Sequence, residues 1–232
     1  GSVDWSESEM PEKVIWKEGD VQLREVGGEI LSFTCIDDDY HDWQNEHRKA
    51  ALFLCDRVIR ADVDTAPGKK MKIFSFGKDN NYKTSQVRAW LQKNSQNSSF
   101  CLEPIHTGIQ TAYMGSTAAG AFSQTSGREL VRHDIGFQLM NDQLFCLSLE
   151  EALAYREYLW RFDSGDDNPQ SQVSAYSQGY YLRTPFYLQD ENGKFIYNQQ
   201  IYGVDLVNGC LRPVRTDSET YGVRPAFALS QM

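Results

Sequence analysis

The sequence predicts an α+β domain: short strands, two helices, then a tail made only of strands. Three observations carry this. Extended apolar runs open the chain, two segments with helical apolar spacing occupy its middle, and every apolar run after residue 171 is short and punctuated by Gly, Pro or Asn. No strand–helix–strand alternation supports a parallel doubly wound sheet. No break in composition divides the 232 residues, so 13–232 read as a single domain. Residues 1–12 (GSVDWSESEMPE) are acidic and aperiodic, a disordered lead-in whose Gly1-Ser2 start looks like a tag remnant.

The elements follow in order. VIWKEGDVQLREVGGEILSFTCI reads as two strands around Gly27-Gly28, with Ile30, Phe33 and Cys35 facing inward. The acidic stretch 37–49 reads as a long polar hairpin loop before AALFLCDRVI (50–59), an apolar run with the character of a buried strand. MKIFSF (71–76) is a further strand. Thr84 or Ser85 caps a helix over 84–96 whose Val87, Trp90 and Leu91 lie on one face. The Gly- and Ser-rich segment 97–135 reads as a long loop insertion. QLFCL (143–147) is a strand that feeds a second helix over 148–160, opened by the Ser148–Glu151 capping box. DSGDDNPQS (163–171) breaks the chain, and YYLRTPFYL, KFIYN, YGVDLV, CLRPV and YGVRPAFAL follow as short strands. Pro185, Pro213 and Pro225 restrict those runs to edges, strand ends or bulges.

Composition bounds the function. Lys+Arg 23 against Asp+Glu 32 gives a formal charge of -9, which repels nucleic-acid phosphates and anionic membrane surfaces. No apolar run approaches the ~18 residues of a membrane span. The five cysteines lack CxxC spacing, and Cys35, Cys55 and Cys146 sit in apolar runs where a free thiol acts as a small buried hydrophobe. Reduced cysteines suit a cytoplasmic setting. Nine of the 12 Tyr lie between Tyr155 and the end, beside six Arg and the single lysine Lys194. Such a tail suits a binding surface or a strand-rich core, since Tyr serves both.

Signatures of chemistry are sparse. The chain lacks HExxH, GxSxG and GxGxxG, and Gly115–Gly120 lacks the lysine of a phosphate loop. The acidic groups at 37–42 and 163–168 fit polar turns better than calcium loops. His41, His47, His106 and His133 are scattered without an activated nucleophile. The reading is therefore non-enzymatic, without cofactor or metal. Leu182-Arg183-Thr184-Pro185, Leu211-Arg212-Pro213 and Val223-Arg224-Pro225 echo one another, and the planar donor forks of Arg183 and Arg224 are expected to tie loops to carboxylates or carbonyls.

SQVRAWL (85–91), FCLSLEEALAY (145–155), SAYSQGYYLRTP (174–185) and YGVRPAFAL (221–229) occur in that order. Together they resemble a bacterial family of unknown function with the pattern S-x-x-R-x-W-L, L-S-x-E-E-A, W-x-L-R-x-P, G-V-R-P-A, over roughly 29–229. The last element is similar to one in formylglycine-generating sulfatase-modifying enzymes and in variable proteins of diversity-generating retroelements. The resemblance implies a C-type-lectin-like fold with two helices and a twisted antiparallel sheet. Tyr180-Tyr181 stand where the family usually has Trp, and Cys210 stands alone where the enzyme branch has a cysteine pair. The calcium–sugar EPN or QPD signature is absent.

From the variable proteins, the resemblance implies a ligand-binding face over 180–221. It holds Tyr180, Phe186, Tyr187, Gln189, Asn192, Tyr197, Asn198, Gln199, Tyr202, Asn208, Arg212, Arg215 and Asp217. The expected partner is a protein or other macromolecule, and the expected setting a cell surface or viral particle. The alternatives are a structural or assembly domain of such an object, and a divergent sulfatase-modifying-like enzyme with a metal at 163–168.

Overall fold

The structure is a computed structural model that describes residues 15–42, 45–59, 64–66, 69–70, 75–95, 105–110, 113–114, 122–123, 131–132, 137–162, 169–174, 177–189, 191–192 and 195–231. The expected lead-in (1–12), most of the expected strand 71–76, the Gly115–Gly120 loop and the 163–168 turn lie outside the described residues.

The chain begins with β1 (Val21–Val26), β2 (Glu29–Asp42) and β3 (Asn45–Cys55), an antiparallel meander. Gly27 and Gly28 hold φ of 62° and 86°, so the two-residue turn closes β1 on β2 with the strand twist intact. A small pair follows, β4 (Asp64–Ala66) with β5 (Lys69–Lys70). Helix α1 spans Gln86–Ser95. Then come β6 (Ile105–Gln110), β7 (Tyr113–Met114), β8 (Phe122–Ser123), β9 (Val131–Arg132), β10 (Phe137–Asp142) and helix α2 (Leu149–Ala154). The tail comprises β11 (Gly179–Gln189), β12 (Phe195–Asp205), β13 (Cys210–Arg215), β14 (Tyr221–Gly222) and β15 (Ala226–Ser230).

Two larger sheets run in the orders β1-β2-β3-β15 and β14-β11-β12-β13-β8, and β10-β6, β4-β5 and β7-β9 form two-stranded pairs. The last strand returns to the first sheet, pairing Phe227 with Phe53 and Leu229 with Ala51. The architecture is mostly sheet with few helices, as an α+β domain allows.

The apolar pattern explains why β3 sits inside. Successive side chains of a strand point to opposite faces. Ala51, Phe53 and Cys55 enter one core cluster with Phe33, Tyr82, Leu91, Tyr181 and Phe227. Ala50, Leu52 and Leu54 enter the other with Phe145, Phe162, Tyr180, Leu182 and Tyr202. The unbroken run AALFLC is thus a strand covered on both faces. Each large side chain so buried contributes roughly 1.5–3 kcal/mol.

Several expectations need correction. Ile30 faces solvent, because its parity opposes that of the buried Leu31, Phe33 and Cys35. Residues 37–42 and 45–49 are strand rather than long loop. Register shifts at Cys35/Asp37, Asp37/Tyr40 and His41/Asp42 let β2 carry its acidic residues within the ladder. The described residues of the 97–135 segment form four strands, and β6 is held by β10, a partner beyond the segment's own sequence. Residues 143–147 form only an isolated bridge, Phe145 to Ala226.

Candidate binding surface

The motif residues come first, since they decide what remains for a ligand. Ser85 accepts the Arg88 N–H at 3.0 Å and so caps α1, and Arg88 Nε donates to Asp142 Oδ1 at 2.9 Å. Ser148 accepts the Glu151 N–H while Glu151 accepts the Ser148 N–H, the reciprocal box that starts α2. Arg183 Nη1 donates to the Cys146 carbonyl at 2.6 Å and to Glu151 Oε1 at 2.5 Å. Tyr40 donates to Glu151 Oε2 at 2.7 Å, so one carboxylate joins β2, α2 and β11. Burial, then the Glu151 carboxylate, raises the Tyr40 phenol well above its ordinary pKa. The phenol therefore remains a donor to Glu151.

Arg224 has a comparable role. Its Nε donates to the Cys55 carbonyl at 2.6 Å, Nη1 to the carbonyls of Tyr158 and Leu159 at 3.1 Å, and Nη2 to that of Arg161 at 2.5 Å. The guanidinium lies 4.2 Å from the centre of the Phe162 ring. The second helix is shorter than its 148–160 pattern: a 3-10 turn at Arg156–Tyr158 follows α2, and the carbonyls at and just beyond that turn accept from Arg224. Both arginines are buried and hold the scaffold.

The expected ligand face divides accordingly. Tyr180, Phe186 and Tyr202 are buried rather than exposed on such a face. They lie in a core cluster because β11 and β12 are covered on both sides, and Tyr180 OH is spent on the Leu159 carbonyl at 2.8 Å. Tyr187, Gln189, Tyr197 and Asn198 belong to β11 and β12, with side chains outside the described residues. Asn192, Gln199, Asn208, Arg212, Arg215 and Asp217 are exposed. They do not share one face, since Arg212 opposes Gly203 while Arg215 opposes Gln200, at positions of opposite parity.

The best-built exposed group lies at the β12–β13 turn. Asp205, buried, accepts the N–H groups of Val207 and Asn208 at 2.9 Å each and the Asn208 side-chain amide at 2.8 Å. Arg212 Nη1 approaches the same carboxylate at 3.4 Å, with its side chain 48% exposed. Val207 stands out beside them, 49% exposed. A buried anion thus fixes the base of an exposed cation, an amide and an apolar side chain. Asp205 and Val207 were absent from the expected face. An Asp three residues before an Asn-Gly pair is the turn signal that points to them. Arg215 and Asp217 form a separate exposed pair, with two hydrogen bonds at 2.8 and 2.9 Å.

Among the described residues no group of three or more His, Cys, Asp or Glu could hold a metal ion, and no helix is long and apolar enough to cross a membrane. Cys35, Cys55 and Cys146 are free and buried, while Cys210 is free and partly exposed. A family model described as a domain of unknown function (DUF6273) matches residues 52–231. No curated protein and no solved structure matches the chain.

Proposed function

The chain belongs to the DUF6273 family, and from that premise we propose that it is a non-catalytic module that binds a protein or other macromolecule. The observation that carries this is the β12–β13 turn, where the buried Asp205 anchors exposed Arg212, Asn208 and Val207. Arg offers a forked donor set, and a pre-ordered turn lowers the entropy lost on binding. The scaffold beneath is rigid because Arg183 and Arg224 tie its helices and strands together.

The finer reading is a C-type-lectin-like scaffold of the kind that diversity-generating retroelements vary. In its support, the first three strands and the last share one sheet, and a second sheet carries the C-terminal turns. Sequencing many copies of the source locus tests it. The expected result is clustered substitution at 192, 199, 208, 212, 215 and 217, with Tyr180, Phe186 and Tyr202 constant because they fill the core. Invariance at the six exposed codons, or variation spread evenly along the chain, would remove the diversified reading.

A further inference from the structure

Leu23, Ile30 and Val21 are exposed by 63, 70 and 44%, on a hairpin that a second copy of the chain could cover. Ile15 stands near it in sequence at 68%, and among the described residues the remaining large exposed hydrophobic is Val207, at the far turn. Singly scattered apolar residues need no explanation, but these are grouped. The register sets Val21 against Thr34, Leu23 against Ser32 and Glu25 against Ile30, so Val21, Leu23 and Ile30 share one outer face. Among the described residues β1 is also the edge of its sheet.

The main-chain groups of that edge have a definite phase. Cys35 N–H donates to the Asp20 carbonyl at 2.7 Å, so Asp20 points its carbonyl at β2. Alternation then turns the groups of Val21 and Leu23 away from β2. Their carbonyls accept instead from side chains next door: Gln22 Nε2 to Val21 at 3.2 Å and Arg24 Nη1 to Leu23 at 3.1 Å. Such neighbour contacts are exposed and easily exchanged for strand amides.

We propose that β1 pairs antiparallel with β1 of a second copy, about a twofold axis at Gln22. Residues 20–24 read Asp-Val-Gln-Leu-Arg, which is self-complementary in that register. Asp20 lies opposite Arg24 of the second copy, Val21 opposite Leu23, and Gln22 opposite Gln22. The Val21–Leu23 pairs are the ones whose main-chain groups face outward, so hydrogen bonding and side-chain matching select the same register. Neighbouring registers lose this agreement: an axis at Leu23 sets Asp20 against Val26, and one at Arg24 sets Arg24 against itself. The two sheets become one continuous sheet, with Val21, Leu23 and Ile30 of both copies along one face. Strand addition at a sheet edge is a common mode of association. The ladder is short, so the dimer belongs with small, weak interfaces.

Sedimentation velocity on the full chain, from micromolar to sub-millimolar concentration, tests this. The expected result is a reversible dimer that Leu23→Lys abolishes without changing the far-ultraviolet circular dichroism, because Leu23 is exposed. Asp20→Arg and Arg24→Asp should each weaken the dimer, and the double exchange should restore it. A monomer throughout, or a dimer indifferent to Leu23→Lys, would overturn the proposal. A chain that dimerises only after removal of residues 1–14 would assign the edge to its own leading segment and overturn it equally.

Discussion

Arg183 and Glu151, 32 residues apart in the chain, meet as a buried ion pair with Nη1 2.5 Å from Oε1 and side chains only 6% and 15% exposed. Arg183 also holds the Cys146 carbonyl, and Glu151 also caps α2 and accepts from Tyr40. Removing one partner leaves the other's charge buried and uncompensated. Arg183→Met should therefore cost about 3–5 kcal/mol in unfolding free energy. Glu151→Gln keeps part of the capping geometry and should cost less. The double variant should cost clearly less than the sum, since both act on one network. Denaturant unfolding of the four proteins measures all three terms.

Arg224→Lys is expected to be nearly as harmful as Arg224→Met. Arg224 serves carbonyls of Cys55, Tyr158, Leu159 and Arg161 through three nitrogens in one plane, against the Phe162 ring. A lysine ammonium has no planar fork and leaves some carbonyls without a donor, at roughly 1–3 kcal/mol each. Equal unfolding midpoints for wild type and Arg224→Lys would refute this account of the G-V-R-P-A motif.

How far the sequence disclosed the fold and the surface turns on parity and partners. Arg183 and Arg224 were legible as scaffold, because an Arg flanked by aliphatic residues and Pro has little solvent to reach. The Ser148–Glu151 box was legible because both halves are local. Ile30 faces solvent against expectation because one residue of register reverses a side chain's face. Tyr180 and Tyr202 are ambiguous in the sequence because a tyrosine suits either surface or core. Only the pairing of β11 with β12, and the cover on both faces, sends them inward. β6 was hidden in a Gly- and Ser-rich stretch because its ladder depends on β10.

Burial gives the thiols a definite pH signature. Desolvation pushes Cys35 and Cys146 from an ordinary 9.0 up to about 12, and Cys55 up to about 11. The native state keeps these thiols protonated where the unfolded chain ionises. Their contribution is thus fully present below pH 9 and is lost as pH rises from there towards 12. Stability measured at pH 8 and pH 10 should fall, and replacing the three cysteines by alanine should flatten that slope. In a Cys101→Ser background at pH 8, a disulfide reagent should label Cys210 first. The other three should react only as the protein unfolds.

Gly179→Ala should be among the most damaging small substitutions in the chain. A Cβ there would lie 1.9 Å from the Val204 carbonyl oxygen and 2.7 Å from the Tyr221 ring. The first contact is main chain in the paired β12, so the β11–β12 ladder must shift to admit a methyl group. Overpacking of this kind costs roughly 1–3 kcal/mol or more. A melting temperature within a degree or two of wild type would show that the ladder yields more easily than its geometry implies.

Asp205 and Arg212 should separate folding from binding. Asp205 is buried and accepts three N–H bonds that shape the β12–β13 turn, so Asp205→Ala leaves those donors without their acceptor. The expected loss is about 1–3 kcal/mol, with a loosened turn. Arg212 is half exposed and 3.4 Å from that carboxylate, and the three N–H donors of the turn keep the buried Asp205 satisfied without it. Arg212→Ala should thus leave stability within about 0.5 kcal/mol of wild type. Once a ligand is in hand, its affinity should fall with Arg212→Ala at unchanged melting temperature. With Asp205→Ala, affinity and melting temperature should fall together. If Arg212→Ala leaves the affinity intact, the turn is a structural feature and the ligand face lies elsewhere on the domain.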